Sequence, residues 1–431
     1  MILRDPVHGL VAFESDEERI VEKLMDCAEV QRLRRVRQLG VTSVAFPGAE
    51  HSRFAHAIGA AFVMKLLLAR LRAIHGSLPS DQRVTEELAT QALAAAFVHD
   101  VGHGPLSHLF EDAIPGTPPH ETWTERIVLD PSTDVHRVLA SHDSQLPSRV
   151  VDLVHGRHEV PYMARAVSGE FDVDRCDYLL RDAHATGVTY GLYDLDWLLR
   201  SLRFAPVSGG RTAPVLAIDG AKGLPAIETF ITARLFMFQQ VYLHKATRAV
   251  EWMIRAAVAR AVCVLRRGMV LEAVPGALAA AARQEPISLA DYLELDDGVL
   301  WGALHAWESC SDAPLADLAR RIRGRILHKT LELFGEQATP EGREHALRIA
   351  RDVAQDRGFD PDVYVGIDVA SVEPFDGGDQ PLMVVFAKGP PRPLSDVSFL
   401  LGRLAGQVLS RVRLILAPEL REPLIHALGF E

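Results

Sequence analysis

The residues best suited to chemistry lie in HDVGHGPLSH (99–108), where three histidines and an aspartate fall within ten positions. His99 and Asp100 are adjacent, so on a helix their side chains diverge by about 100° and can grip one ion from neighbouring directions. Gly102, Gly104 and Pro105 end the helix there and leave His103 on the turn beside it. A lone buried histidine is ordinarily a core residue, but this density, sealed by glycines, points to a metal or catalytic role. Two further segments offer matching groups. In HSRFAH (51–56), Arg53 and His56 are spaced i, i+3 and share one helix face. In FDVDRCDYLLRDAH (171–184), Asp174, Tyr178 and Asp182 recur every four residues, again on one face. Two histidines and two aspartates suit Zn, Mn, Fe or Mg, with coordination positions left for water.

Helices must position these groups. Apolar residues recur at three- and four-residue spacing in 54–74, 86–100 and 230–262, and none of these stretches contains proline. Most of 15–270 therefore reads as helix. Breaks fall at 75–82, 113–119 and 205–214, each rich in Gly, Pro or Ser. Beyond about residue 360 the texture changes. The segments 363–372, 381–387 and 412–418 are short and β-branched and predict strands, with FDGGDQP and KGPPRPLSD as turns. The expectation is a mainly α fold, with a core over 1–270 and a C-terminal helical and α+β region over 271–431.

The 431 residues leave room for one large domain and a smaller one. Hydrophobic residues make up 48% and charged residues 24%, which excludes a mainly disordered chain. The net charge of −11 disfavours non-specific binding to nucleic acid or anionic membrane, since both are polyanions. An anionic ligand would need a local basic pocket. Cys27, Cys176, Cys263 and Cys310 are widely spaced, so no CxxC pair exists, and a reducing, cytoplasmic setting is expected. The N-terminal MILRDPVHGL carries no long apolar core, so no secretory signal is expected.

The order H…HD…D, at His56, His99–Asp100 and Asp174, resembles the HD-domain metal-dependent phosphohydrolases. The series RLRRVRQLG, PGAEHSRFAHAIG, HDVGHGPLSHLFE, DVDRCDYLLRDAH and VYLHK is similar to one branch of them, the deoxynucleoside triphosphate triphosphohydrolases. That branch includes the animal enzyme fused to a sterile-alpha motif, and its bacterial relatives. The resemblance runs from Asp5 to about residue 260 and implies an HD-domain helical core. His56, His99, Asp100 and Asp174 would ligate one metal ion per site, with a further Mg on the triphosphate. Arg53, Arg175 and Arg234 would contact phosphate, as a guanidinium fork suits. Arg175 stands where the family has Lys. Gln38, Leu39, Tyr178, Asp182 and Tyr242 would choose the sugar, Gln38 and Asp182 by bonding its 3′-hydroxyl. His103 would face the α-phosphate, and His120 would pair with Glu111 as an acid/base dyad. Glu111 and Phe238 replace the animal enzyme's Asp and His.

The resemblance extends to regulation. Asp26, Gln31 and Arg34 match residues that hold a guanine nucleotide between subunits, implying an effector site and a homodimer or homotetramer. Asp5 and His8 of DPVHG mark the same N-terminal segment. Two rival functions fit the same residues. One is HD chemistry on another nucleotide, such as an NTP, a nucleoside monophosphate or a signalling nucleotide. The other is a non-catalytic nucleotide sensor, which four intact metal ligands argue against.

Overall fold

The structure, a computed structural model, describes residues 1–114, 117–205, 214–375 and 381–429, without the side chains of His108 and Asp112. The expected breaks at 113–119 and 205–214 and the turn at FDGGDQP lie partly or mostly outside these residues. The chain opens with a hairpin of β1 (Ile2–Asp5) and β2 (Gly9–Ala12), in register from Ile2↔Ala12 to Asp5↔Gly9. The helices that carry the chemistry follow. They are α1 (Arg53–Ile74), α2 (Glu86–Val98), α3 (His120–Leu129), α4 (Val173–Thr186), α5 (Leu224–Met237) and α6 (Lys245–Arg266). Local sequence explains where several begin. Ser52 caps α1 by accepting from the Ala55 amide, Thr85 caps α2 from Leu88, and Asp172 caps α4 from Arg175.

Long α1 is the hub. It packs against α2 and α4, and Ala57, Ala60, Ala61, Val63, Met64 and Leu67 are buried between them. Buried alanines in α2 (Ala89, Ala92, Ala94, Ala95, Ala96) let its axis approach closely. A second core forms around α6, which packs on the helices 108–113, 276–283 and 313–323. The three expected strands form where the β-branched runs lie. They are β6 (Val365–Val372), β7 (Met383–Val385) and β8 (Leu409–Leu416). The last lies between β5 (Lys329–Glu332) and β6, antiparallel to both. Strand β7 pairs in parallel with β4 (Val215–Asp219), which itself pairs with β3 (Leu202–Ala205). A C-terminal strand thus completes a sheet begun before residue 220.

One expected element is corrected. The run 230–262 is two helices rather than one. Residues Phe238–Tyr242 form a π-turn, in which the Leu243 amide bonds the Phe238 carbonyl at 2.9 Å. His244 then caps α6 by accepting from Ala246. The apolar residues of 230–262 recur closely enough to read as one helix, and no proline or glycine marks the single widened turn. Tyr242, the last residue of that turn, donates to Asp182 through its hydroxyl at 2.8 Å.

Candidate active site

Asp174 Oδ1, on the first turn of α4, lies 2.9 Å from His56 Nε2 and 3.4 Å from His99 Nε2. The two Nε2 atoms are 3.3 Å apart. Asp100 joins them, 3.4 Å from His99 Nε2 and 3.7 Å from His56 Nε2. The four residues expected to hold a metal therefore converge. Their tautomers follow from their outer partners. His99 Nδ1 faces the Ala96 carbonyl at 2.9 Å, and a carbonyl only accepts, so Nδ1 donates. His56 Nδ1 likewise donates to the Asp177 carboxylate at 2.8 Å. In the neutral rings both Nε2 lone pairs then point at each other and at two carboxylates. Such a set repels itself unless a proton or a metal cation stands within it. Two imidazoles with carboxylates fit a divalent or transition metal.

The electrostatics agree. Burial opposes a charged His56, but its bonds to Asp174 and Asp177 outweigh burial and raise its pKa to about 10. A cation binding here must displace that proton. Burial also opposes an ionised Asp174, and bonds from His56 and His99 overcome it and hold the carboxyl below its ordinary range.

Arg53 is buried and pairs with Asp100 through Nη1, while its Nε donates to Ser107 Oγ at 3.0 Å. Burial would raise the Asp100 pKa, and Arg53 holds it well below the ordinary value. Leu106 and Ser107 sit at φ 54° and 61°, a region that costs non-glycine residues about 1–3 kcal/mol each. Asp297 accepts from the Leu106 amide at 2.7 Å and helps hold this turn. Gly102 is required for a different reason. A Cβ there would overlap the His120 carbonyl and the Thr124 amide, so glycine lets α3 close onto the loop.

That closure brings His120 into position. Its Nδ1 lies 3.1 Å from Glu111 Oε1, so the expected pairing forms with Glu. His103 stacks on the His120 ring at 3.7 Å and 16°. Its Nε2 is 3.2 Å from Asp100 Oδ1. Burial and the adjacent Arg53 push its pKa well below the ordinary value. His103 therefore lies behind His120 as a neutral ring on Asp100. An open cleft of about 360 Å³ fronts the cage, lined by His99, Asp100, His120, Asp174 and Arg175 among others. Arg175 pairs with Asp172 and the Gly169 carbonyl at the cleft edge.

On the other side of Asp174, Asp182 accepts from His51 Nε2 and from the Tyr242 hydroxyl, both at 2.8 Å. Tyr178 lies between, edge-on to Tyr242 at 6.3 Å and 6.5 Å from His56. The Gln38 side-chain oxygen is buried with no hydrogen-bond partner among the described residues. Leu39 packs half-buried against the core. Arg234 stands apart from the cleft. Its Nη1 donates to the Pro374 and Glu373 carbonyls at 3.0 and 3.4 Å, with the Phe238 ring 5.4 Å away. The three expected effector residues gather at the surface. Gln31 donates to the Met25 carbonyl, Arg34 donates to Gln31 and covers the Phe54 ring, and Asp26 is exposed beside them.

Sequence reasoning passed over Asp177, Arg181, His51 and Ser107. Asp177 and Arg181 carried a readable signal. Positions 174, 177, 178, 181 and 182 form one helical stripe, and it is polar where a core-facing stripe should be apolar. His8 and Asp5, grouped with the effector segment, face the candidate metal site instead, through Asp177 and Arg181.

A sequence family described as the HD associated region matches residues 194–418. The Bacillus subtilis protein YwfO is 32% identical over 375 residues, covering 87% of this chain and 81% of that protein. The chain belongs to the HD-domain, dNTPase-like phosphohydrolases. Deoxynucleoside triphosphate triphosphohydrolase SAMHD1 of Danio rerio is 27% identical over 291 residues, or 60% of this chain and 45% of that protein. The chain thus spans less than half of that relative's length. A phosphohydrolase of Bacteroides thetaiotaomicron superimposes with a TM-score of 0.79 at 28% identity, covering 96% of this chain and 99% of the other. The HD phosphohydrolase fold is therefore shared nearly end to end, and the chain is a hydrolase of this family. Among the described residues no helix is long and apolar enough to cross a membrane.

Proposed function

We propose that this hydrolase cleaves deoxynucleoside triphosphates to deoxynucleoside and tripolyphosphate. The observation that carries the reading is the face of α4, where Asp174 in the metal cage, Tyr178 and Asp182 follow at successive turns. One helix thereby aligns a phosphate site with an acceptor suited to a sugar hydroxyl. The buried Gln38 oxygen adds a second acceptor. The likeness to SAMHD1 supports the same substrate class.

His56, His99, Asp100 and Asp174 would hold the metal. When bound, it would lower the pKa of a water and polarise a phosphoryl oxygen. The chain's own groups do the rest. Arg53 and Arg175 would offset phosphate charge beside the cleft, and Arg234 would have to turn from the Glu373 and Pro374 carbonyls to join them. Glu111 accepts from the Nδ1–H of His120, and with the ring doubly protonated its Nε2–H would pass to the departing 5′-oxygen. Water's oxygen bonds to the α-phosphorus as the P–O5′ bond breaks, and the proton that the water gives up restores the one His120 has lost. His103 keeps Asp100 and the His120 ring in place. Residues 1–270 carry all these groups, and 271–431 brace them, as Asp297 does at Leu106. Asp26, Gln31 and Arg34 would take a guanine nucleotide in a cytoplasmic homodimer or homotetramer.

The test is a panel of dNTPs and NTPs with Mn, Mg, Fe or Zn, with products separated by anion exchange. Tripolyphosphate from dNTPs supports the reading. Orthophosphate alone, or no product with any nucleotide, refutes it.

A further inference from the structure

The N-terminal hairpin ends within the walls of the metal cage. His8 Nε2 donates to Asp177 Oδ1 at 2.6 Å, and the other oxygen of that carboxylate accepts from His56 Nδ1 at 2.8 Å. Arg181 closes the group, with Nε 2.7 Å and Nη2 2.9 Å from the same carboxylate. Asp177 therefore accepts from four donors and is fully buried. Arg181 Nη1 reaches back to Asp5 Oδ2 at 2.8 Å. Asp5 Oδ1 in turn accepts from the amides of Val7 and His8, which sets the turn between β1 and β2.

A second observation shows that the space is built for this carboxylate. Gly59 lies one turn after His56 on α1. A Cβ at Gly59 would overlap both the Asp177 carboxylate and the Arg181 guanidinium. The glycine is a notch that lets the two charged groups lie directly under the metal ligand.

We propose that the hairpin is a positioning element of the metal centre, in which His8 fixes the Asp177 carboxylate and thereby the ring of His56. It rests on the metal site of the reading above, not on the choice of substrate. A carboxylate gripped on one side only can pivot, and the imidazole it orients pivots with it. Outer partners of this kind set metal affinity by holding the ligand's ring and tautomer. His8 is a positioning residue, not a catalytic one, since it touches no reacting atom.

The experiment compares two variants of the full chain by Mn²⁺ titration against a fluorescent chelator, with turnover measured separately. His8→Phe keeps a ring beside Phe62 and removes the donor. His8→Gln loses the ring and keeps an amide donor. The expected result is a fall in Mn²⁺ affinity of about 10–100-fold for His8→Phe. His8→Gln should stay near wild type, and His8→Phe should regain turnover at saturating Mn²⁺. Wild-type affinity in His8→Phe overturns the proposal, as does equal loss in both variants, which would mark a packing role. Should His8→Phe fail to fold, His8→Ala takes its place: weaker Mn²⁺ binding than His8→Gln supports the donor role, and equal binding in the two overturns it. A wild-type protein that binds Mn²⁺ yet cleaves no dNTP sinks the proposed substrate and leaves this comparison intact.

Discussion

Replacing Asp182 by Asn tests the sugar site most directly. The carboxylate is buried, with one oxygen taken by His51 and the other by Tyr242, each at 2.8 Å. A 3′-hydroxyl would add a third donor to this anion. Asn keeps the shape but removes the charge and one acceptor oxygen. A hydrogen bond to a charged group contributes about 1.5–3 kcal/mol, so kcat/KM for a dNTP should fall about 10–150-fold. A 2′,3′-dideoxy triphosphate has no hydroxyl to lose and should be cleaved as before. The assay is tripolyphosphate release from the two substrates by wild type and Asp182→Asn. Equal loss for both would mean that Asp182 serves the fold through His51 and Tyr242. No loss for either would mean that the 3′-hydroxyl is read elsewhere.

Other outcomes can be checked with the same preparations. His99→Ala or Asp100→Ala should abolish bound metal, measured by mass spectrometry, and hydrolysis with it; wild-type metal content in either would refute the cage. Arg234→Ala should weaken triphosphate binding by about 1.5–3 kcal/mol while sparing the nucleoside, measured by calorimetry, and equal loss would make Arg234 a strut for the Glu373–Pro374 carbonyls. Arg34→Ala should remove any rate increase that dGTP or GTP brings; light scattering in parallel shows whether assembly changes as well. His328 gives a pH test away from the site. Its ring is buried near Trp252 and stacked on Tyr364, and burial aided by Arg321 lowers its pKa to about 4 from an ordinary 6.5. The folded state then binds fewer protons than the unfolded one. Stability from this group is full above pH 6.5 and is lost as pH falls towards 4, by about 3 kcal/mol. Thermal melts of His328→Phe between pH 7 and 4 should lack that component, and an unchanged profile would refute the assignment.

The candidate metal site was legible in the sequence because its residues lie in short, dense motifs on helices whose periodicity is strong. His99–Asp100 follow α2 directly, and Ser52 starts α1 so that His56 falls on its inner face. The π-turn at 238–242 was not legible, since apolar residues recur on both sides of it and no proline or glycine marks it. Nor was the parallel pairing of β4 with β7, which joins residues 215–219 to 383–385. Nothing local to either strand names its partner.

Residue type and spacing by themselves determined which groups could bind a metal, which helices would carry them and where the C-terminal strands lie. These are short-range properties, set by helical period, capping and β-branching. Tertiary structure alone decided which charges neutralise one another. Arg53 is committed to Asp100, Arg175 to Asp172 and Arg234 to backbone carbonyls. It also carried Asp5 and His8 from the effector segment, with which the sequence grouped them, to the His56 side, across a separation of 169 residues between His8 and Asp177. A buried charge must find a partner wherever the packed chain provides one, and that partner depends on the three-dimensional path rather than on sequence distance.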